Sequence, residues 1–525
     1  MIEKTVVIPI LKKMNGSAKI NIMIKSLIIL FLVLGAQIMS AQQNPFSQRI
    51  AEEKALKIYE QEYPPMQSMP EPAAAKNELL FGARLLRSVT LLATSRPERR
   101  WPVKILIYGQ SITGSQVFTE LLAAYLKEQF PYADITLENR AIGGFNAEQI
   151  IRTSVHDVYP FYPDLTIFHV YDGEKNRELE QLFADIRRYT TSDILLLNHH
   201  LDDYNPQVDP FAYQYLRYVA NKYNCELVDI STEWTKYVSD NNLKASDLLR
   251  DRIHPNRNGN ALMTQLVGKH LTFNSLYPSQ WQNTVQTCFV KSAYDNNFQN
   301  PLEFSGKPWE IVNNIPTGEG DKSTLKLSFY GNKVDIIKGQ TPDGVKTGSA
   351  RILIDGNPVT SENMVYTLTR PSAGPGTWFP AIRRVSHHKP LIAEDWTLKI
   401  EKVNADSTIW FYSVTGSKTG YDGSGNSAES FVSNSGRVVI DASDYMFSKI
   451  KAGFKVATPV GFEVHWSAVP LFKSTYSVSG NSKEAPYKTT LVQGLENGPH
   501  TLEIIPNGDG AVPIEAFEIH RPPLQ

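Results

Sequence analysis

The chain has little cysteine, almost no net charge and no long apolar run after its first 42 residues. Only Cys225 and Cys288 occur among 525 residues, outside any metal-ligand spacing. We expect buried or free thiols, although a single disulfide stays open, so stability must come from buried apolar side chains. The formal net charge of -1 gives no reason to expect nucleic acid or an anionic membrane as a partner.

An apolar run near the N-terminus is the clearest targeting feature. Lys25 precedes Leu27–Leu34, and the small-residue stretch 39–42 follows. The run is shorter than the ~20 residues of a membrane-spanning helix. It therefore predicts a signal peptide over 1–42, no membrane span after cleavage, and a secreted or periplasmic location in a bacterium. The alternative is an N-terminal anchor that is never cleaved.

The middle of the chain alternates between short apolar runs and amphipathic stretches. A proline-rich lead-in segment over 43–98 precedes this part, which covers 99–275. The alternation is typical of βαβ units around a parallel sheet and predicts an α/β domain. The expected strands are Val103–Tyr108, Asp134–Glu138, Leu165–Phe168, Asp193–Leu197 and Glu226–Ile230. The expected helices are Phe118–Phe130, Glu178–Tyr189, Phe211–Tyr223 and Asn258–Leu271.

The last part of the chain loses helical periodicity. From about residue 285 it alternates in strand fashion between turn residues, which predicts a C-terminal all-β sandwich region. We expect one β-sandwich module over 285–425. Residues 430–525 form either a second module or the second half of the same sandwich. The glycine- and serine-rich stretch 417–427 reads as a linker or an exposed loop.

Polar residues follow the first four expected strands of the α/β domain and fill the last turn before its closing helix. In an open parallel sheet, reactive groups collect beyond the carboxyl ends of the strands. We therefore expect the functional site among these segments. They are Gly109–Thr113, Asn139–Gly144, His169–Asp172, Asn198–His200 and Asp251–Asn256.

Three of these residues have the side chains that acyl transfer requires. Ser111 offers a hydroxyl nucleophile, His254 an imidazole base, and Asp251 a carboxylate that can orient the imidazole. Because Ser111 precedes a helix, we expect it at a helix N-terminus, where backbone N–H groups can stabilise an oxyanion. The alternative is that Ser111 only caps that helix and that the other two are solvated surface residues.

Two of the segments resemble sequence blocks of the SGNH/GDSL hydrolase family. Gly109–Thr113 is similar to its first block, Gly-Asp-Ser, and Asp251–His254 to its last, Asp-x-x-His. Asn139–Gly144 resembles the second block, which implies that the N–H groups of Gly144 and Ser111 bind the oxyanion. The resemblance covers roughly 100–272. It implies a flavodoxin-like, three-layer α/β/α fold and ester hydrolysis that needs neither a metal nor an organic cofactor.

The chain departs from the family pattern at two positions. Gln110 stands where the first block has aspartate, and Tyr171 stands where the third block has its oxyanion-binding asparagine. The Tyr171 hydroxyl could donate from farther away, or Asn176 or His169 could replace it. The strings Tyr-Gly-Gln-Ser-Ile-Thr and Phe-His-Val-Tyr resemble a subgroup of secreted bacterial hydrolases, which implies that the tyrosine is a subgroup feature.

The remaining strand-end residues are candidates for the substrate cleft. They are Gln110, Asn139, His169, Asp172, His199 and His200. A less favoured alternative is a metal site, although no known zinc spacing is present. Its ligands would come from His169, Asp172, His199, His200, Asp202 and Asp203.

Export and a β-rich region, together with the resemblance, imply a secreted carbohydrate esterase. It would remove acetyl or other small acyl groups from a polysaccharide or oligosaccharide. The alternatives are a glycan-binding surface protein without activity and an acyltransferase to sugar hydroxyls. Strand-borne aromatic residues could stack on sugars or belong to the core. These residues are Trp396, Trp410, Tyr412 and Trp466. The oligomeric state is left open.

Overall fold

The structure is a computed structural model. It describes residues 78–202, 207, 209–274, 284–294, 301–306, 309–312, 315–318, 323–339, 341, 345–358, 365–478 and 487–524. The expected signal peptide and most of the lead-in segment lie outside these ranges. Within them, no helix combines the length and the apolar character needed to cross a membrane.

A five-stranded parallel sheet forms the centre of the first unit, in the order β2-β1-β3-β4-β5. Its strands are β1 Pro102–Gly109, β2 Asp134–Asn139, β3 Leu165–His169, β4 Asp193–Leu197 and β5 Glu226–Val228. Ile105 and Ile107 face one hydrophobic core, and Leu106 and Tyr108 face another. Helices cover both faces, so the expected α/β fold with a parallel sheet between two helical layers is confirmed.

Eight helices of the described chain accompany this sheet. They are α1 Leu86–Thr94, α2 Gln116–Gln129, α3 Ala147–Asp157, α4 Glu178–Tyr189, α5 Pro210–Lys222, α6 Ile230–Asp240, α7 Ala245–Leu248 and α8 Arg257–His270. The expectation that β5 continues to Ile230 is wrong, because the Asp229 side chain accepts the Thr232 N–H and starts α6 there. Helix α1, within the expected lead-in segment, packs Val89 and Leu92 into the core.

A ten-stranded antiparallel sheet follows, with the main order β12-β11-β21-β10-β22-β9-β8. Strands β20, β6 and β7 pair at its margins with β11, β22 and β10. Its strands are β6 Val285–Phe289, β7 Leu302–Gly306, β8 Glu310–Val312, β9 Ile315–Gly318, β10 Ser323–Lys338, β11 Ser349–Ile354, β12 Asn357–Pro358, β20 Thr475–Ser477, β21 Lys488–Pro506 and β22 Val512–His520. This sheet therefore combines chain segments from before residue 360 and after residue 470.

A second antiparallel sheet lies between those segments in the sequence, in the order β13-β19-β14-β15-β16. We call the part of the chain from 365 to 470 the inserted unit. Its strands are β13 Tyr366–Leu368, β14 Glu394–Val403, β15 Trp410–Gly416, β16 Gly420–Asn426, β17 Phe431–Val432, β18 Val439–Ile440 and β19 Glu463–Pro470; helix α9 is Phe447–Phe454.

The inserted unit contains the glycine- and serine-rich stretch 417–427 and the four aromatic residues considered for sugar stacking. The stretch 417–427 is not a linker, because most of it forms β16, paired with β15. The four aromatic residues weighed for sugar stacking are all buried and belong to the core of this unit. The module boundaries stay a prediction, although β10 pairs with β21 and β22 across the expected division near 425–430.

The two antiparallel sheets contact different sides of the parallel sheet. We call the side formed by the amino ends of its strands the amino edge, and the side formed by their carboxyl ends the carboxyl edge. The ten-stranded sheet reaches segments that precede β3 and β4: Asn332 accepts a hydrogen bond from Tyr162 Oη at 2.7 Å, and His520 contacts Thr191 Oγ1 at 2.9 Å. The inserted unit packs along α3 and on the loop before it, and this loop follows the carboxyl end of β2. His156 of α3 contacts the Leu368 carbonyl at 2.7 Å.

Candidate active site

Ser111 lies in a turn that begins directly after β1. Gly109 ends the strand at φ +124°, and a Cβ there would lie 1.8 Å from the His169 carbonyl oxygen, so only glycine fits. The expectation that Ser111 starts a helix is wrong, and so is the alternative that it caps one. The turn continues to Gly114, and it is Ser115 that caps α2 by accepting the Phe118 N–H.

Ser111, His254 and Asp251 form a continuous hydrogen-bonded chain. His254 Nε2 lies 3.0 Å from Ser111 Oγ, and His254 Nδ1 lies 2.9 Å from Asp251 Oδ2. Because a carboxylate only accepts, Nδ1 carries the proton and Nε2 presents its lone pair to the serine hydroxyl. The structure thus brings together the three residues that the sequence singled out, with the tautomer that a general base requires.

The loop holding Asp251 and His254 turns back on itself, as their spacing allows. Asp251 Oδ1 accepts the backbone N–H groups of Ile253 at 2.9 Å and His254 at 2.8 Å. Partial burial opposes ionisation of this carboxyl, but those two N–H groups and the imidazole outweigh it and lower its pKa below the usual value. The carboxylate therefore stays charged and holds the ring in place.

Gln110 connects the loops around Ser111 instead of lining an open cleft. Its Nε2 donates to the Phe145 carbonyl at 2.8 Å, and its Oε1 accepts the Tyr171 N–H at 2.6 Å. A carboxylate at this position could accept from Tyr171 but could not donate to Phe145. The amide therefore ties the segments after β2 and β3 to the turn that bears Ser111.

A loop from the inserted unit covers the segment Gly143–Phe145. Trp378 Nε1 donates to the Gly143 carbonyl at 2.8 Å, and the ring of Phe379 lies against Gly144 and Phe145. A Cβ built on Gly143 would be 3.5 Å from both Ser111 Cβ and Trp378 Nε1. Reasoning from sequence missed both aromatic residues, because nothing near them in the chain points to a contact more than 200 residues away.

The Tyr171 hydroxyl is already engaged on the far side of its ring. It lies 3.3 Å from both His200 Nδ1 and Asp202 Oδ2. His200 Nε2 donates to the Ile253 carbonyl at 2.8 Å, so its Nδ1 can only accept, and the single phenol proton of Tyr171 is shared between this nitrogen and the Asp202 carboxylate. Burial lowers the His200 pKa to about 4, which keeps the ring neutral. Through His200, Tyr171 supports the loop of Asp251 and His254.

His169 and His199 form a second, separate chain that ends at Glu174. His199 lies 3.2 Å from Glu174 Oε1 through Nε2 and 3.2 Å from His169 Nε2 through Nδ1. His169 is fully buried; desolvation, together with its two histidine neighbours His199 and His200, lowers its pKa well below the usual value. Among the described residues, neither ring forms a hydrogen bond with Ser111.

The other candidates have no hydrogen bond to Ser111, His254 or Asp251 among the described residues. Asn139 donates to the Thr113 carbonyl at 2.8 Å and to Thr119 Oγ1 at 2.7 Å, which fastens β2 to the serine turn. Asp172 is exposed in a left-handed conformation at φ +78°, and Asn176 is also exposed. Asn139 therefore joins two segments of the unit, whereas Asp172 and Asn176 lie exposed in the segment after β3.

The grouping considered for a metal site is not assembled among the described residues. Asp202 contacts Tyr171, Asp172 points to solvent, and Asp203 lies outside the described ranges. The one set of described side chains close enough to share an ion is Asp335, Glu518 and His520, in the ten-stranded sheet. Two lysine ammonium groups already neutralise that set: Lys333 Nζ is 3.0 Å from Asp335, and Lys488 Nζ is 2.9 Å from Glu518.

Comparisons with known proteins return only distant structural likenesses. No family model matches the chain, and no curated protein matches it. A two-domain esterase (CEX) active on acetylated mannans is 15% identical with a TM-score of 0.33, over 84% of this chain and 96% of that one. The acetylxylan esterase Axe2 from Geobacillus stearothermophilus is 20% identical with a TM-score of 0.29, over 34% and 97%. A putative GDSL-like lipase from Parabacteroides merdae is 18% identical with a TM-score of 0.30, over 33% and 98%. Because these three TM-scores are below 0.5, the case for this site rests on its own geometry.

Proposed function

We propose that this protein is a secreted serine esterase that removes acetyl or other small acyl groups from a polysaccharide or oligosaccharide. The observation that carries the proposal is the hydrogen-bonded chain from Ser111 Oγ through His254 to Asp251. Three side chains from two distant segments meet there in the order that nucleophilic acyl transfer requires.

In the proposed reaction, His254 Nε2 takes the proton of Ser111 as Oγ attacks the ester carbonyl carbon. The C–O bond to the sugar then breaks, and the imidazolium returns the proton to the departing sugar oxygen. Water, deprotonated by the same nitrogen, attacks the acyl-serine, and the C–O bond to Ser111 breaks with return of the proton. Asp251, whose pKa is lowered, stabilises the imidazolium at both steps.

The negative oxygen of each tetrahedral intermediate needs hydrogen-bond donors. We assign this role to the backbone N–H groups of Ser111 and Gly144, which lie in adjoining loops. Tyr171 could add a third donor only by releasing His200 or Asp202. The removal of one such donor typically costs about 10²–10³ in rate, so two backbone donors already account for a large part of the catalysis.

The substrate class that we propose is an ester of a glycan. The predicted signal peptide and the neighbouring β region favour a large extracellular substrate, and the structural likenesses supply acetylated mannan and acetylated xylan as the substrates to test first. Transfer of the acyl group to a sugar hydroxyl would use the same residues, and only the product distinguishes it from hydrolysis.

The test is hydrolysis of p-nitrophenyl acetate and of both acetylated polysaccharides by the mature chain. Ser111→Ala and His254→Ala should each lose at least about 10⁴-fold in kcat while remaining folded by circular dichroism. The matched controls Ser115→Ala and His465→Ala should keep wild-type rates, because Ser115 caps α2 and His465 is exposed on β19. Activity should persist in EDTA.

Different outcomes would overturn different parts of the proposal. A wild-type protein inactive on all three esters would favour a glycan-binding protein without activity. Activity retained by Ser111→Ala would exclude this serine mechanism. Acylated sugar products in place of free acetate would identify a transferase.

A further inference from the structure

Trp378 is the one described tryptophan that is mostly exposed, with 62% of the residue's surface accessible. The described tryptophans of both β-sheets are buried in cores. A large apolar ring left in water beside a reactive serine calls for an explanation, because such rings usually bury their surface.

The ring is held in one orientation by its edge. Its indole N–H donates to the Gly143 carbonyl at 2.8 Å, and it meets the ring of Phe454 at 5.1 Å between centroids and 88° between planes. The loop beneath it is closed by the Gly374 N–H, which donates to the Phe379 carbonyl at 2.9 Å. The indole is thus preorganised, and no described aromatic ring stacks parallel on it.

The indole of Trp378 lies close to Ser111, because both flank Gly143. Both Trp378 Nε1 and Ser111 Cβ lie 3.5 Å from the point where a side chain on Gly143 would begin. A sugar whose acyl group is seated at Ser111 therefore has the indole at its flank. The C–H groups of a pyranose face carry partial positive charge and pack well on the negative face of an indole.

We propose that Trp378 is a specificity-determining residue that stacks on a sugar ring of the substrate, so that the inserted unit forms one wall of the site. This inference deepens the proposed function and rests on it: the substrate class becomes esters borne by pyranose rings. An ester of a small alcohol has no ring to stack and would gain little from the indole.

The first experiment compares two substrates in two variants. The kcat/KM values of Trp378→Ala and Trp378→Phe are measured with acetylated xylo- and manno-oligosaccharides and with p-nitrophenyl acetate. We expect Trp378→Ala to lose about tenfold more on the oligosaccharides than on the small ester, through KM. Trp378→Phe keeps a ring but not the N–H donor, and should recover most of that loss. Tyr421→Ala, which removes an exposed ring on β16, is the matched control and should change neither value.

Several results would overturn the inference while the proposed function stands. An equal loss on both substrates, with no recovery by phenylalanine, would mean that the indole only holds Gly143. A loss seen instead with p-nitrophenyl octanoate would assign the ring to acyl-chain binding. A sugar subsite would also be excluded if the wild type hydrolysed p-nitrophenyl acetate but neither bound nor hydrolysed any oligosaccharide of the two series.

A binding measurement separates this inference from the esterase proposal. Titration calorimetry of Ser111→Ala and of Ser111→Ala/Trp378→Ala with the same acetylated oligosaccharides should show a Kd about tenfold weaker in the double variant. If the wild type hydrolyses no ester but this difference is found, the esterase proposal fails and the sugar subsite stands. Equal Kd values in the two variants would overturn the subsite.

Discussion

The amino edge and the carboxyl edge of the parallel sheet are each covered by β structure, but in different ways. At the amino edge, the ten-stranded sheet buries a charged network in which Asp335 is fully buried against Lys333 and His520. At the carboxyl edge, Asp251 and His254 keep 47% and 28% of their side-chain surface exposed.

This difference separates groups that hold the molecule together from groups that can meet a substrate. A buried charge is tolerated only with its partners in place, so we expect the network at the amino edge to stabilise the fold and not to contact a substrate. The polar groups at the carboxyl edge are ordered by hydrogen bonds but remain accessible. We therefore expect substitutions at the amino edge to change the stability of the protein and substitutions at the carboxyl edge to change its catalytic rate.

The largest effect is expected from Asp251→Asn at the carboxyl edge. The amide cannot stabilise the imidazolium and favours the wrong tautomer of His254, so kcat should fall about 10³–10⁴-fold. The melting temperature should change little, because the side chain is half exposed. The measurement is kcat together with a thermal melt. A fall of less than tenfold would contradict the role assigned to Asp251.

Asp335→Asn tests the opposite edge. It leaves Lys333 and Lys488 buried without their shared counter-charge, which should lower the free energy of unfolding by about 3–5 kcal/mol. Urea unfolding measures this loss. The kcat of the folded fraction should match the wild type, whereas a lower kcat with unchanged stability would show that this network acts in catalysis and not in stability.

His156 gives a pH-dependent test at the contact between α3 and the inserted unit. Its Nδ1 donates to the Leu368 carbonyl and its Nε2 accepts the Val385 N–H, so it must be neutral, and burial lowers its pKa to about 4. Because the unfolded chain binds this proton near pH 6.5 and the folded chain only near pH 4, stability should fall as pH drops between these values.

The variant His156→Leu isolates this contribution. At pH 5 the slope of unfolding free energy against pH should be about 1 kcal/mol per pH unit smaller than in the wild type. Urea unfolding at several pH values supplies the slopes. Identical slopes would show that His156 already takes up its proton in the folded protein.

The smallest of these effects is expected at Gln110. Gln110→Glu keeps an acceptor for the Tyr171 N–H but places a carboxylate against the Phe145 carbonyl. We expect kcat on p-nitrophenyl acetate to fall about tenfold, because the Gly144 segment shifts relative to Ser111. Gln110→Ala, which removes both bonds without repulsion, is the companion variant. Wild-type rates in both variants would show that Gln110 does not affect catalysis.

Much of the parallel-sheet unit could be predicted because its signals are local. Apolar runs and their flanking turns marked all five strands, and the order of Ser111, Asp251 and His254 along those turns indicated the site. Helices α1, α3, α6 and α7 escaped prediction. They have 4 to 11 residues, whereas the four predicted helices have 12 to 14, so fewer turns repeat the apolar spacing.

The β region was predictable in type but not in pairing. Strand periodicity shows that Ser323–Lys338 is extended, but nothing in it selects β21 and β22, more than 150 residues away, as its neighbours. The contact of Trp378 with Gly143 was hidden for the same reason. A residue whose partner is distant in the chain has no local pattern to reveal it.

The way β10 is paired also constrains how the chain can be made and cut. Both of its long neighbours come from the last 40 residues, so the ten-stranded sheet cannot close until synthesis is nearly complete. A chain ended near residue 430 would keep β7 on the first residues of β10 but would expose the rest of both its edges and invite aggregation. Expression of the first unit alone should therefore stop before β6, and any genetic exchange of the inserted unit must preserve both of its junctions.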